Sequence, residues 1–284
     1  RGLRTVFPRA RTARAASRPG ATTGLASKSE ELTVNETGYR VGVLGAHGRM
    51  GVEVCRMVEA EPGMSLVAAL DRDDPVDALT DAGVGVLVDF THPDAVMDHI
   101  SFAIEHEIHC VVGTSGFTAD RLETVRGWLG DDPRIGVMVV PNFAIGAVLA
   151  MRLGSMAARF FESAEIVELH HAGKVDAPSG TAISAARSMA QARAEDGLGP
   201  VPDATTRDAG GARGATVDGI HVHAVRLPGL VAHLELLFGS EGETLTIRHD
   251  SLTRASFMPG VRAAIRAVGQ RPGLTVGLES LLDV

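Results

Sequence analysis

From residue 40 onward the apolar positions gather into short unbroken runs, separated by longer segments with helical spacing. RVGVLG (40–45), SLVAAL (65–70), GVLVDF (85–90), IHCVVGT (108–114) and IGVMVV (135–140) are five such runs. They do not alternate apolar with polar residues, which is the mark of strands covered by helices on both faces. The intervening segments predict helices over 49–60, over 91–106, and from Thr118 or Asp120 to Leu129. Strands that alternate with helices in this way predict an α/β fold with a Rossmann-type, doubly wound parallel sheet.

After Asn142 the pattern changes. A long helix is predicted over 144–161, a strand over 165–171 and a second helix over 179–194. Residues 195–219 are rich in Gly, Arg and Asp and read as a long loop. Three strands with short turns follow, at 220–227, 231–239 and 243–250. This is the grammar of a smaller α+β domain with a mixed or antiparallel sheet. A last helix is predicted over 258–270, and the tail PGLTVGLESLLDV is expected to pack back on the first domain. The expected organisation is a leader over 1–38, a first domain built from 39–143 and 256–284, and a second over 144–255. No internal repeat is present.

Composition narrows the classes of function. The 284 residues suffice for one or two domains, and 45% hydrophobic with 22% charged residues is ordinary for a soluble globular chain. No apolar run is long enough to span a membrane. Aromatic residues make up only 4%, too few for a surface that stacks on bases. Residues 1–29 hold six arginines, Lys28 and no acid, so they carry +7 of a chain total of −8 and the remainder stands at −15. An acidic body argues against nucleic-acid binding. The leader has no sustained apolar period and reads as disordered; its Arg-rich, acid-poor start is like an organellar transit peptide or a non-native extension. Cys55 and Cys110 lack metal-type spacing and read as free thiols of a reducing, cytoplasmic setting.

Two segments carry candidate chemistry. VGVLGAHGRMG puts Gly45, Gly48 and Gly51 between the first strand and the first helix. A backbone without Cβ can turn sharply and approach a pyrophosphate, and a helix N-terminus offers free N–H groups to it. Asp71 ends the second strand, where an acid meets the ribose hydroxyls of NAD. Arg72 follows, suited to the 2′-phosphate of NADP, so the choice between NADH and NADPH stays open. GTS (113–115) and VPNF (140–143) fall at the carboxyl ends of two further strands, where open α/β sheets bind ligands.

The second segment is HHAGKVDAPSGT, residues 170–181. Lys28 and Lys174 are the only lysines among 27 basic residues, so Lys174 is the one lysine of the part expected to fold. His170 and His171 close a strand and point to opposite faces. Ser179, Gly180 and Thr181 open a helix, where a capping hydroxyl and free N–H groups hold an anion such as a carboxylate. Histidine exchanges protons near neutral pH, and lysine can release a proton where arginine effectively cannot. The set suits a small anionic substrate that must gain a proton, from either His170 or Lys174.

GAHGRMG (45–51), DFTHPD (89–94), GTSGFT (113–118), PNFAIG (141–146), ELHHAGKVDAPSGTA (168–182), HAVRLPGLVAH (223–233) and HDSLTRASFMPG (249–260) together resemble the 4-hydroxy-tetrahydrodipicolinate reductase family, also called dihydrodipicolinate reductases. The resemblance runs from about Arg40 to the C-terminus, and the short loops are like the actinobacterial branch. It implies an enzyme of diaminopimelate and lysine biosynthesis that reduces a cyclic dicarboxylate with NADH or NADPH. It gives His170 a proton donor/acceptor place and Lys174 a proton-donor place. His171, Ser179, Gly180, Thr181 and Arg254 take substrate places. Gly45, Ala46, His47, Gly48, Arg49, Met50, Asp71, Arg72, Gly113, Thr114, Ser115, Val140, Pro141, Asn142 and Phe143 take dinucleotide places. The family forms homotetramers through the second domain's sheet, and no metal is implied. Ser115, Val140 and His47 depart mildly from the family's usual residues, His47 in a way that bears on the NADH/NADPH balance. Two weaker alternatives are a metal hydrolase built on His170, His171 and Asp176, with His221 and His223 as a half-site, and a non-catalytic dinucleotide sensor.

Overall fold

A computed structural model describes residues 38–282. The apolar runs form β1 (Tyr39–Leu44), β2 (Met64–Leu70), β3 (Val86–Asp89), β4 (His109–Val112) and β5 (Gly136–Val139). Between them lie α1 (Gly51–Ala60), the short α2 (Ala78–Asp81), α3 (Val96–Glu105) and α4 (Ala119–Leu129). The second half contains α5 (Ile145–Ala157), β6 (Ser163–His170), α6 (Gly180–Glu195), β7 (Ala215–Val217), β8 (Ile220–Arg226), β9 (Ala232–Ser240) and β10 (Glu243–Ser251). A 3₁₀ turn at Arg254–Phe257 leads into α7 (Met258–Val268) and β11 (Gly273–Val276).

β1 to β5 pair in parallel, and β11 joins them beside β5, giving the order β11-β5-β4-β3-β1-β2. The tail therefore packs back as a sixth strand. The chain leaves β1 for β2 on one side and returns as β3 on the other, so β1 marks the switch point where such sheets bind ligands at their carboxyl ends. Both faces are covered, which is why the strands are apolar throughout. Val54 and Val58 of α1 and Val261, Ile265 and Val268 of α7 pack on one face, while Leu79, Ile100 and Val125 pack on the other. Burying each such side chain is worth about 1.5–3 kcal/mol.

The second sheet has the order β10-β9-β6-β8-β7 and is mixed: β6 and β8 are parallel and the other pairs antiparallel. Its strands do alternate. Ile166, Val222, Leu234, Leu236 and Phe238 face α5 and α6 with Ala182, Ala186 and Met189. The opposite face carries Glu165, His221, His223, Glu235 and Arg248, joined in ion pairs.

Three of the differences from the sequence reading have an identifiable physical cause. α3 starts at Val96 instead of 91, because Thr91 gives its N–H and hydroxyl to the Asp89 carboxylate and so stays out of the helix. α5 stops at Ala157 instead of 161. The buried Arg193 guanidinium takes the carbonyls of Ala158, Phe161 and Glu162, which a continued helix would have used for itself. The predicted loop 195–219 contains β7, folded onto β8 through Asp218 and Gly219 with φ of 47° and 86°. The leader assigned to 1–38 lies outside the described residues except for Gly38.

Candidate active site

A cavity of about 590 Å³ opens at the carboxyl edge of the first sheet, between it and the second. The first sheet contributes Gly113, Thr114 and Ser115 after β4, Pro141 and Asn142 after β5, and residues 276–279 from the end of β11 onward. The second contributes His170 at the end of β6, Lys174 and Asp176 from the following loop, and Ser179, Gly180, Thr181 and Ser184 from the start of α6. Asn142 Nδ2 donates to Thr181 Oγ1 across the gap at 3.3 Å.

The floor on the first-sheet side rests on a buried carboxylate. Asp89, fully buried at the end of β3, accepts the Thr114 hydroxyl at 2.6 Å and the Thr91 hydroxyl at 2.7 Å, and pairs with His99 Nδ1 at 2.6 Å. Thr114 Oγ1 in turn accepts the Thr91 N–H at 2.8 Å. The Thr114 hydroxyl is thus committed as donor and acceptor, which fixes the 113–115 loop. Gly113 is required there, since a Cβ would strike the Phe90 ring.

The glycine loop lies at the carboxyl end of β1. Gly45 has φ of 76°, and a Cβ on Gly51 would collide with the Gly45 carbonyl. The Gly45 and Ala46 N–H groups donate to Leu70 O at 2.8 and 3.1 Å. Asp71 Oδ2 accepts the His47 N–H at 2.9 Å and meets His47 Nδ1 at 2.5 Å. Asp71 therefore reaches the loop as its place at the end of β2 predicts, while Arg72 is exposed beside it. A second groove of about 580 Å³ runs along this loop, lined by His47, Gly48 and Arg49 together with Val231 and Arg254.

On the second-sheet side the chemistry centres on His170. Its Nδ1 meets Glu168 Oε2 at 2.5 Å, and the Glu168 side chain is completely buried. Arg226 clasps the same carboxylate with two nitrogens, at 2.8 and 2.7 Å. Burial lowers the pKa of His170 below its ordinary 6.5, and the opposing pull of Glu168 does not restore it. Burial alone would raise Glu168, but Arg226 and His170 outweigh it and hold the carboxyl below its usual range. At neutral pH the ring is accordingly neutral beside a carboxylate, with its proton on Nδ1 and Nε2 bare. Lys174 Nζ pairs with Asp176 Oδ1 at 2.7 Å. Ser179 Oγ accepts the Ala182 N–H at 3.2 Å and caps α6, whose first N–H groups have no intrahelical partner.

The structure thus gathers His170, Lys174, Ser179, Gly180, Thr181, Gly113, Thr114, Ser115, Pro141 and Asn142 around one cavity. His171, one residue past the end of β6, does not line it. Val140 and Phe143 are buried and do not line it. Arg254 does not line this cavity. It sits on the 3₁₀ turn that carries the chain back to the first sheet, facing the glycine loop. His221 and His223 pair with Asp203 and Glu165 at 3.3 and 2.8 Å, and among the described residues no group of three or more metal-ligating side chains converges. Glu168, Arg226, Asp89 and His99 escaped the sequence reading. The signal for Glu168 was an acid two residues before His170, on the same strand face and at a buried position.

The family model for the N-terminal part of dihydrodipicolinate reductase matches residues 39–143, and that for its C-terminal part matches 146–282. The chain is 58% identical over 245 residues to a 4-hydroxy-tetrahydrodipicolinate reductase of Nocardia farcinica, covering 86% of this chain and 99% of the relative. It is 60% identical over 246 residues to the enzyme of that name from Cutibacterium acnes, with the same coverage. Among solved structures, a dipicolinate-bound dihydrodipicolinate reductase from Paenisporosarcina sp. TG-14 superposes with a TM-score of 0.76 at 38% identity, over 86% of this chain and 99% of that one. Family models that together span residues 39–143 and 146–282, and relatives of 58–60% identity along nearly their whole length, place the chain in one family: it belongs to the dihydrodipicolinate reductase family.

Proposed function

We propose that this chain reduces 4-hydroxy-tetrahydrodipicolinate to tetrahydrodipicolinate with NADH or NADPH, in diaminopimelate and lysine biosynthesis, and that the residues around the 590 Å³ cavity carry the reaction. The observation that bears most weight is the facing of two half-sites: a dinucleotide cradle on the first sheet, and a proton-transfer and anion-binding set on the second.

The cradle fits a dinucleotide. The positive φ of Gly45 and the crowded positions of Gly45 and Gly51 exclude side chains where a pyrophosphate would meet backbone N–H groups at the start of α1. Asp71 would hold the adenosine ribose, Arg72 and Arg49 offer charge for a 2′-phosphate, and the 113–115 and 140–143 loops would carry the nicotinamide end. The cofactor supplies hydride. The free N–H groups at Gly180 and Thr181 take one substrate carboxylate, and the Lys174 ammonium offsets negative charge beside it. The substrate first loses water, its hydroxyl leaving with a proton from the neighbouring carbon; hydride then reaches the carbon that held the hydroxyl, and the neighbouring carbon needs a proton back. The neutral His170, with Nε2 bare, is an acceptor, so the donor is Lys174. Its N–H bond breaks, the new C–H bond forms, the electron pair stays on nitrogen, and solvent reprotonates the amine.

Residues 39–143 with 256–284 serve the cofactor in this reading, and 144–255 the substrate and assembly. β11 joining the first sheet supports that division. The ion-paired open face of the second sheet supports a homotetramer formed through it, and a light-scattering mass of four chains is the expected result; a monomer would refute it. A cytoplasmic setting suits free Cys55 and Cys110, and no described helix is long and apolar enough to cross a membrane.

The decisive assay supplies pyruvate, aspartate semialdehyde and the preceding synthase, and follows loss of reduced-nicotinamide absorbance. Oxidation that depends on the synthase supports the proposal. No oxidation with either NADH or NADPH overturns it.

A further inference from the structure

We infer that Glu168 is the positioning residue of the site, setting which nitrogen of His170 faces the cavity and tying that ring to both the anion cradle and the lysine loop. The inference rests on the proposed function only where it concerns the reaction.

Glu168 joins the separate parts of the second-sheet half-site. Its side chain is completely buried at the end of β6. Oε2 meets His170 Nδ1 at 2.5 Å, and Oε1 accepts the Ser179 N–H at 3.0 Å, holding the residue that caps α6. Arg226, from β8, bridges both oxygens and also donates to the Asp176 carbonyl at 2.8 Å. Asp176 is the residue whose carboxylate pairs with Lys174. One buried acid thus fixes the ring, the helix start and, through Arg226, the loop that presents the lysine. A buried ionised carboxylate needs a cation and full hydrogen bonding, and Glu168 has both.

The electronic consequence is specific. A carboxylate can only accept, so Nδ1 of His170 must carry a proton. Burial keeps the ring neutral at pH 7, so Nε2 presents a lone pair to the cavity. In Glu168→Gln the amide oxygen keeps the Ser179 N–H and Arg226 Nη2, which turns the amide nitrogen toward His170 and costs Arg226 Nη1 its acceptor. Nδ1 must then accept, and the ring proton moves to Nε2.

Two measurements test this. Solid-state ¹⁵N NMR of protein labelled only at histidine, with His170 assigned by the His170→Gln spectrum, is expected to show the Nδ1–H form at neutral pH. The Nε2–H form in the wild-type protein overturns the inference, whether or not any variant folds. In folded Glu168→Gln the ring signal is expected to switch form, with kcat down by about 10²-fold, the lower end of what a mis-set acid–base group costs. KM for the nicotinamide, bound on the other sheet, is expected to stay within about 2-fold because affinity there is untouched. An unchanged ring signal with near-wild-type kcat reduces Glu168 to packing and overturns the role. If the tautomer holds but no nicotinamide supports turnover, the proposed function fails and the positioning of His170 stands.

Discussion

At the scale of single residues, the use of lysine is the sharpest feature of this chain. Twenty-seven basic residues include only Lys28 and Lys174, and Lys174 lies in the wall of the cavity. Charge alone could come from arginine, which the chain uses everywhere else. A guanidinium does not give up a proton at working pH, and an ammonium can. Lys174→Ala is therefore expected to lower kcat by about 10²–10⁴-fold, the usual worth of a general acid. Lys174→Arg, which keeps charge, is expected to recover substrate affinity but not kcat. Steady-state kinetics of the two variants decide the matter: near-wild-type kcat in the arginine variant would reduce Lys174 to an anchor. Lys174, His170 and the Ser179–Thr181 cap were legible in the sequence because they stand together within twelve positions and each has a type-specific chemistry. Glu168 and Arg226 were not. They are 58 positions apart, and only the parallel pairing of β6 with β8, which sets His170 opposite Arg226, brings them together.

At the scale of elements, legibility followed how local the cause was. The five parallel strands and their order of helices could be read because burial on both faces leaves an unbroken apolar run. The second sheet's strands could be read from alternation, with Ile166 and Glu168 inward and Glu165 and Val167 outward on β6. β7 was missed although its turn is written plainly. Asp-Gly at 218–219, with both residues at positive φ, is the strongest short-range hairpin signal, but the three-residue strand before it was lost in a Gly-rich stretch. The end of α5 depended on a distant group, Arg193, that no window along the chain contains, whereas the start of α3 depended on Asp89, only two residues before Thr91. The position of Arg254 was likewise not legible along the chain. Its motif follows β10, yet the 3₁₀ turn swings it over to the glycine loop. The same loops make the glycine motif more than a turn, because Asp71, 24 residues away from His47, closes on the His47 N–H.

At the scale of the whole molecule, the site and the open sheet face share a dependence on protonation state. His109, His170 and His249 all have pKa values lowered from 6.5, chiefly by burial. His109 also uses Nδ1 to accept the Gly136 N–H at 3.0 Å, a bond that protonation would remove. Below pH 6.5 the unfolded chain binds protons that the folded chain refuses, so stability is full above that value and falls as pH drops toward the folded pKa values. Glu165, Glu168, Asp176 and Asp250 also sit below their ordinary ranges. Burial opposes that direction in all four, as the largest single influence on the first three, and all four are held down by Arg, Lys or His partners. Their contribution is intact above the ordinary carboxylate range and is lost on further acidification. Scanning calorimetry is therefore expected to give a Tm that falls in two stages: about 3–6 °C between about pH 7.5 and 5.5, then more steeply below about pH 4.5. His109→Gln keeps an acceptor for Gly136 without a titrating ring, and is expected to shrink the first stage and leave the second unchanged. A wild-type Tm that is flat or rises between about pH 7.5 and 5.5 would show that the buried imidazoles are not held neutral. It would remove with them the reason for treating His170 as an acceptor and Lys174 as the acid.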